Sequence, residues 1–441
     1  MRRTVVILAL IFALLGAGLA GVYFWQRPML LTGSGYAAHN ACALTSIAHR
    51  SDPQTDLPPN PLVPMLSTHV GEGVADASVL GVLATKRAWA TDSYGCTLAD
   101  QRPVLPSAAQ VPFGANPYQD AAAPTPSASV RAALDRAFGN DLPEVDRAAL
   151  GTRGVVVLKD GALVAERYAS GFDARTPQLG WSMTKSVANL MVGRLVADGR
   201  VSLDDDHLRP EWTDGRAAIT IRNLLQMTSG LAWDETYDLG TPITRMLYLE
   251  PNMGAYVASL PLASAPGTSL QYSSGSSTLL CAILAPENGG PNLPRTSILA
   301  PLGLTHAVLE PDAAGTPVCS SYLWATPREW ASIGQFALAD GVWNGARLLP
   351  KGWMASSTTA VAGVTTAEDG YASGWWANRG AEGTTLEPSL PPDTYFAKGH
   401  DGQWLVVVPS QQLVVARLGF TPTASDDRVV ALAAELVTAL S

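Results

Sequence analysis

The chain has 441 residues, of which 47% are hydrophobic and 15% charged, and its formal net charge is −9. This composition is typical of a folded globular protein and excludes wholesale disorder. The acidic balance, without any cluster of Lys and Arg, argues against a nucleic-acid partner. The length exceeds what one compact core usually needs, so we expect one large domain with a smaller part attached.

The first segment is a long apolar run. Residues Thr4 to Trp25 contain no charge, and about 20 such residues suffice to span a bilayer. Arg2 and Arg3 precede the run, which predicts a cytoplasmic N-terminus and an extracytoplasmic, periplasmic remainder. A cleaved signal peptide with its cleavage site near 18–20 is the alternative. The length of the run favours an uncleaved anchor over residues 1–27, and the membrane is then a partner of the chain.

Cysteines come in an even number: Cys42, Cys96, Cys281 and Cys319. In an oxidising compartment, this predicts disulfide bonds. Three pairings are possible. We prefer Cys42 with Cys96 and Cys281 with Cys319, although the sequence alone leaves the choice open. No pair has C-x-x-C spacing and no H-E-x-x-H motif occurs, so we expect neither a metal nor a cofactor.

The rest of the chain divides into three parts by composition. Residues 28–115 carry short alternating apolar runs and form a predicted small accessory region. Residues 116–129 are rich in Ala, Pro and Ser, which is typical of a linker. Residues 130–441 form a predicted catalytic-sized domain.

The domain over 130–441 has a recognisable order of elements. A hairpin is predicted around Asp160-Gly161, the strongest short-range turn signal, and a second one around 409–411. A helix follows the first hairpin and ends near Gly199, a long helical middle comes next, and an amphipathic helix closes the chain. This order predicts an α+β fold, in which an antiparallel β-sheet is flanked by helices and carries an inserted helical subdomain.

A serine and a lysine lie three residues apart where the first long helix begins. A serine hydroxyl is a weak nucleophile that needs a base close by. Residues three apart share a helix face, so the amine of Lys185 can approach the oxygen of Ser182. Burial lowers the pKa of a lysine toward the working pH. An N-cap serine followed by a surface lysine would give the same pattern, so the pair needs support from elsewhere in the chain.

Two further motifs give that support. The sequence reads S-M-T-K at 182–185, Q-Y-S-S-G at 271–275 and G-H-D-G-Q at 399–403. With these motifs in this order, the chain resembles the serine β-lactamase and penicillin-binding protein superfamily. Within it, the chain is similar to the branch of class C β-lactamases, family VIII esterases and 6-aminohexanoate-dimer hydrolases. The resemblance covers about 130–441.

The resemblance implies a role for each matched position. Ser182 is the expected acylated nucleophile and Lys185 its base. Tyr272 is expected to relay a proton to the leaving group, with phenolate character favoured by Lys185. The backbone N–H groups of Ser182 and Gln403 are the expected oxyanion hole, and the substrate is a small molecule.

Three more positions are expected to bind substrate, and two of them depart from the family pattern. Gly402 is expected to let the substrate approach the adjacent strand closely. Ser274 stands where the second motif usually has asparagine, and His400 stands where the third usually has lysine. Because a β-lactam carboxylate usually pairs with that lysine, we expect hydrolysis of an ester or small linear amide.

Other functions remain open from the sequence. One alternative is a β-lactamase or a D-alanyl-D-alanine peptidase of the penicillin-binding type. Another, from a different class, is a non-catalytic, membrane-tethered protein that binds cell-wall peptide. The intact set of Ser182, Lys185 and Tyr272 argues against the binding protein. No G-x-S-x-G elbow occurs, which argues against a Ser-His-Asp hydrolase of another fold.

Overall fold

The computed structural model describes residues 2–52, 56–423 and 427–441. The α-helices of this part are α1 Arg2–Ser46, α2 Ala128–Ala137, α3 Glu144–Leu150, α4 Thr184–Ala197, α5 Ile221–Leu225, α6 Pro242–Leu249, α7 Met253–Ala258, α8 Ser274–Leu284, α9 Pro327–Leu338, α10 Trp353–Ser357 and α11 Asp427–Ala439. The strands are β1 Leu66–Gly71, β2 Val74–Val79, β3 Leu83–Thr91, β4 Gly95–Leu98, β5 Thr152–Lys159, β6 Ala162–Tyr168, β7 Gln178–Leu179, β8 Val308–Leu309, β9 Leu323–Ala325, β10 Val342–Trp343, β11 Ala346–Arg347, β12 Trp376–Ala377, β13 Tyr395–Gly399, β14 Gln403–Val408 and β15 Leu413–Gly419.

The domain predicted over 130–441 is called the catalytic unit below. It is organised around a six-stranded antiparallel sheet with strand order β12-β13-β14-β15-β5-β6. Its central strands are rich in valine and buried on both faces, which suits a sheet covered by helices on each side. Helices α2 and α11 pack on one face, and α9 packs on the other. The helical segment between β6 and β12 forms the inserted subdomain. The predicted α+β fold is confirmed.

Both predicted hairpins are present in this sheet. Asp160 and Gly161 have positive φ angles of 51° and 73°, as a type I′ turn between β5 and β6 requires. The turn Pro409–Gln411 joins β14 to β15. The pattern did not reveal β12 and β13, because these short strands lack a polar–apolar alternation and their pairing partners lie elsewhere in the chain.

Helix α1 is continuous from Arg2 to Ser46 and passes through Pro28. Among the described residues, it is the one helix long and apolar enough to cross a membrane, and none of its apolar stretch is buried. Its second half is buried instead, in a core that includes Ala38, Ala41 and Cys42. The predicted anchor therefore continues into the accessory region as one helix, from Arg2 to Ser46.

The accessory region is a four-stranded antiparallel meander, β1-β2-β3-β4, that packs on the second half of α1. A disulfide between Cys42 and Cys96 fastens the helix to β4. A second disulfide, Cys281–Cys319, fastens α8 to the segment that precedes β9. Both pairings agree with the preferred prediction.

The segment over 99–127 contains no helix or strand, yet it is held against the catalytic unit. Arg328 Nη1 donates to the carbonyl oxygens of Tyr118, Gln119 and Ala121 at distances between 2.9 and 3.0 Å. The same guanidinium pairs with Glu166 on β6. The predicted linker, 116–129, therefore lies in a segment that makes defined contacts with the catalytic unit.

One buried carboxylate joins the accessory region to the catalytic unit. Glu310 is fully buried. It receives hydrogen bonds from His39 on α1 at 2.9 Å, from the Cys96 backbone N–H at 2.6 Å and from Trp324 Nε1 at 3.0 Å. Because three buried donors depend on this one side chain, Glu310 is a polar joint between the two parts.

We predict that Glu310→Ala lowers the free energy of unfolding by about 3–5 kcal/mol, since buried donors lose their acceptor. Urea denaturation of the full chain in detergent measures the change. Glu435→Ala is the control, because its ion pair with Arg136 is solvent-exposed and is worth at most about 1 kcal/mol. Equal decreases in the free energy of unfolding of the two variants would contradict the proposed role of Glu310 as a joint.

Candidate active site

Ser182 and Lys185 meet where the chain enters α4. Ser182 lies in the short 3₁₀ turn Trp181–Met183, and Lys185 lies in the first turn of α4. Lys185 Nζ is 2.8 Å from Ser182 Oγ, 2.9 Å from Ser274 Oγ and 3.1 Å from the Ser320 carbonyl oxygen. The predicted proximity of amine and hydroxyl is present in the structure.

The surroundings of Lys185 favour a neutral amine. The side chain is only 2% exposed, and its hydrogen-bond partners among the described residues are neutral oxygens. Burial lowers the pKa of Lys185 to about 8, although the nearby carboxylate of Glu235 opposes the shift. About a tenth of the amine is therefore neutral and free to accept a proton at pH 7, and this fraction grows as the pH rises.

The residue before the nucleophile has a strained backbone. Trp181 has a φ of 47°, which a bulky side chain adopts at a cost of about 1–3 kcal/mol. Surrounding rings hold it there. The Trp181 ring lies 5.9 Å from that of Tyr36 on α1, 6.4 Å from that of Tyr322 and 5.8 Å from that of His400. Packing from three parts of the chain thus holds the turn that presents Ser182.

Tyr272 lies beside the same pair. Its ring centroid is 4.8 Å from Lys185 Nζ, and its ring stacks on Trp376 at 5.6 Å. Burial raises the pKa of Tyr272, and Glu235 raises it further, while a hydrogen bond with Ser182 acts in the opposite direction. The expectation of phenolate character is therefore wrong for the free protein, because a buried phenol next to a carboxylate keeps its proton.

Ser274 connects Lys185 to a carboxylate that the motifs did not reveal. Ser274 Oγ accepts from Lys185 and donates to Glu235 Oε1 at 2.5 Å, while its backbone N–H donates to Glu235 Oε2 at 2.8 Å. Trp233 Nε1 also donates to Oε2, at 2.5 Å. Ser274 was expected to contact substrate, and in the structure it bridges the amine and the carboxylate.

In the sequence, only the residues that flank Glu235 could have pointed to a role for it in the site. It lies in the loop segment W-D-E-T-Y, where Asp234 and Glu235 stand between Trp233 and Tyr237. Nothing in that pattern points to Ser274, which is 39 positions away. Only the packing of the loop against the start of α8 brings the two side chains together.

The third motif forms the other side of the site. A Cβ at Gly399 would overlap the carbonyl oxygen of Gly180, so the end of β13 lies directly against the nucleophile turn. Gln403, which pairs with Gly399, begins β14 there. The predicted oxyanion-hole positions are thus on adjacent segments. The side-chain amide of Gln403 donates to the Asp401 and Gly419 carbonyls and holds this corner.

The remaining two predicted substrate residues have different settings. His400 is partly exposed, its ring is 4.4 Å from that of Tyr237, and its Nδ1 is 2.8 Å from Asp401 Oδ1. Gly402 has a φ of 80°, and a Cβ there would meet Arg417 Nη1 at 2.6 Å. The fold itself therefore requires glycine at 402, whereas His400 borders the site.

The arrangement is suited to transferring an acyl group through serine. It places an alcohol against a buried amine, a protonated phenol beside both, and a strand start next to the nucleophile turn. A model of the Beta-lactamase family matches residues 143–439. The chain belongs to the Beta-lactamase family. Members of this family are serine hydrolases, and so is this protein.

Solved structures share the Beta-lactamase fold with the chain at low sequence identity. A Bacillus anthracis protein provisionally named a 6-aminohexanoate-dimer hydrolase is 21% identical, with a TM-score of 0.59 over 74% of this chain and 88% of that one. A penicillin-binding protein homologue from Caulobacter crescentus is 18% identical, with a TM-score of 0.55 over 71% and 98%. A class C beta-lactamase is 16% identical, with a TM-score of 0.54 over 71% and 98%. No curated protein matches the chain.

We predict that acylation of Ser182 by a fluorophosphonate probe accelerates as the pH rises through about 8, because Lys185 must lose its proton to act as a base. In Glu235→Gln the midpoint moves to lower pH, since the carboxylate that favours the ammonium is gone. Stopped reactions quantified by intact mass give the rate at each pH.

Asp234→Asn is the matched control, because Asp234 is the exposed neighbour of Glu235 and bonds to Thr236. Its midpoint should equal that of the wild type. A midpoint in Glu235→Gln that stays in place or moves upward would contradict the proposed influence of Glu235 on Lys185.

Proposed function

We propose that this protein hydrolyses an ester or a small linear amide through an acyl-enzyme on Ser182. The observation that carries the proposal is the 2.8 Å contact between Ser182 Oγ and the amine of Lys185, whose pKa burial lowers to about 8. A base that is partly neutral near the working pH is what a serine nucleophile requires.

In the acylation step, the neutral Lys185 amine takes the proton from Ser182 Oγ while that oxygen bonds to the substrate carbonyl carbon. The carbonyl oxygen becomes negatively charged, and the backbone N–H groups of Ser182 and Gln403 stabilise it. The Tyr272 phenol then donates its proton to the leaving alcohol or amine, and the bond to that group breaks. The Lys185 ammonium returns a proton to Tyr272.

Deacylation repeats these steps with water. A water molecule loses a proton to Lys185 and attacks the acyl carbon, after which Ser182 leaves as the alcohol. Glu235 lies close enough, through Ser274, to favour the ammonium that Lys185 becomes in each half-reaction. Glu235 thus lowers the neutral fraction of Lys185 in the free enzyme. In return, it stabilises the ammonium form of Lys185 during the reaction.

The preference for an ester or linear amide rests on His400 and its neighbours. The family's lysine at this position would offer a permanent cation for a substrate carboxylate. His400 instead packs beside the ring of Tyr237, so this edge of the site is aromatic. The name of the Bacillus anthracis structure, a 6-aminohexanoate-dimer hydrolase, is compatible with this substrate class, although structures named as β-lactamases share the same fold.

We propose that α1 anchors the protein in the membrane with the catalytic unit on the periplasmic side. The apolar stretch of α1 is long enough to cross a bilayer. The two disulfides fit an oxidising compartment. Because the second half of α1 is part of the folded core, the anchor continues directly into the enzyme without a flexible tether.

A turnover panel tests the function. It comprises nitrophenyl esters of several chain lengths, aminohexanoate dimer, D-alanyl peptides and a chromogenic cephalosporin. We predict that ester or linear amide turnover exceeds cephalosporin turnover, and that Ser182→Ala lowers it at least ~10³-fold.

Ser202→Ala, at an exposed loop serine, is the control and should retain full turnover. Faster cephalosporin than ester turnover would refute the substrate class. Equal activity of Ser182→Ala and wild type would refute the nucleophile.

We predict that His400→Lys shifts the enzyme toward β-lactams, because it restores a cation at the third motif. The measurement is the ratio of Ser182 labelling by fluorescent penicillin to labelling by a fluorophosphonate, which should rise about tenfold or more. His400→Gln introduces no permanent cation and should leave the ratio near that of the wild type. An unchanged ratio in His400→Lys would show that this position does not select the substrate.

A further inference from the structure

The β2–β3 hairpin ends in an exposed apolar tip. Leu80 and Val82 are 64% and 78% exposed, and Gly81 lies between them. Met65 is also exposed and adjoins the tip, because its carbonyl oxygen accepts from the Leu80 N–H at 2.8 Å. These three apolar side chains, Met65, Leu80 and Val82, form what we call the apolar tip.

The turn has an unusual residue for its geometry. Leu80 and Gly81 have φ angles of 51° and 79°, and the Val82 N–H donates to the Val79 carbonyl oxygen, as in a type I′ turn. Such turns favour Asn or Gly at their first central position, and a leucine there is strained. A soluble surface would gain both stability and polarity from asparagine, so a selective reason for leucine is needed.

The position of the tip along α1 supplies that reason. Strand β3 runs beside α1 in the same direction. Ala84 near its start contacts both Tyr23 and Ser34 of α1, and Cys96 beyond its end is bonded to Cys42. The residues before Ala84 therefore point toward the apolar half of the helix, where Tyr23 lies two residues before the end of the uncharged run at Trp25.

At that level, α1 carries the aromatic residues that favour a membrane–water interface. Phe24 and Trp25 are 68% and 77% exposed, and they follow Tyr23 directly. Aromatic residues of this kind concentrate at the headgroup region of a bilayer. The apolar tip thus projects from β3 toward the level of α1 that we assign to the interface.

We propose that the apolar tip, Met65, Leu80 and Val82, inserts into the outer face of the lipid bilayer as a second membrane contact beside α1. This inference rests on the membrane attachment proposed above. It assigns a role to the accessory region, which has no part in the Ser182–Lys185 chemistry: it seats the enzyme on the lipid surface.

Two contacts restrict the enzyme more than one does. A single helix can tilt in the bilayer and turn about its own axis, whereas a second insertion point beside the helix limits both motions. Tyr36, whose ring lies 5.9 Å from that of Trp181, is eleven residues beyond Trp25 on α1. At a rise of 1.5 Å per residue, the nucleophile turn is then held about 16 Å or slightly more above the interface.

The test uses the full-length chain in lipid nanodiscs with one introduced cysteine for an environment-sensitive dye. All four native cysteines form disulfides, so the new thiol is the one that reacts. Separate variants carry the dye at Val82 (Val82→Cys), at Phe12 (Phe12→Cys) and at Val145 (Val145→Cys). Val145 is 74% exposed on α3, which leads into β5, where Arg153 pairs with Asp56 beyond the far end of α1.

Nitroxide-labelled lipids should lower the emission of the dye at position 82 about twofold or more. Iodide in the aqueous phase should quench the same dye only weakly. The Val145 dye should show the reverse. If the Val82 dye behaves like the Val145 dye while the Phe12 dye is quenched by lipid, α1 is anchored and the seating proposal is overturned. If the Phe12 dye is not quenched by lipid, the anchor and the seating proposal both fall. Equal lipid quenching at Val82 and Val145 would mean non-specific adsorption and would also overturn the proposal.

A second variant separates membrane contact from folding. Leu80→Asn with Val82→Thr gives the turn a favoured Asn-Gly pair, so the protein should fold at least as well and keep its turnover of a soluble ester. A dye at Met65 (Met65→Cys) should become about twofold or more accessible to iodide when these two changes are added. Unchanged accessibility in the folded, active variant would contradict insertion of the tip.

Discussion

The removal of one amine from water is the constraint on which the site depends. Lys185 is 2% exposed, and its ammonium form would lose most of its hydration there. The protein compensates with three neutral oxygens rather than a touching carboxylate. A direct ion pair would hold the proton on the lysine and remove the base. Placing Glu235 one hydrogen bond further away, behind Ser274, keeps the amine partly neutral and still supports the charged form.

The same balance explains the state of Tyr272. The carboxylate of Glu235 acts on both neighbours, and it disfavours the phenolate while favouring the ammonium. With the protons placed this way, the free site holds one base and one acid next to the Ser182 alcohol. That division of roles between two groups in different environments is what acyl transfer at neutral pH needs.

The geometry of the site is maintained by parts of the chain that do no chemistry. Trp181 is held in a strained conformation by rings from α1, from the segment before β9 and from the third motif. Glu310 joins α1 and β4 to the strand beside that cluster. The accessory region is therefore a structural component of the catalytic unit, and its helix links the site mechanically to the apolar N-terminal half of α1.

The sequence by itself determined the features that depend on local patterns. The type I′ turn at Asp160-Gly161, the helix that follows, the apolar N-terminal run and the Ser182–Lys185 contact all arise from residues within a few positions of one another. The order of the predicted elements indicated the α+β fold, and the family motifs brought Tyr272 to the site. The preferred disulfide pairing was also correct, although spacing alone could not exclude the other two.

Only the tertiary structure decided the electrostatic state of the site and its supports. Glu235 reaches Ser274, and Glu310 reaches His39 and Cys96, across separations of 39 to 271 positions that no local pattern encodes. Burial sets the pKa of Lys185 and Tyr272, and burial is a property of the packed core. For that reason the phenolate expectation failed, and the union of α1 with the catalytic unit became visible only once the chain was folded.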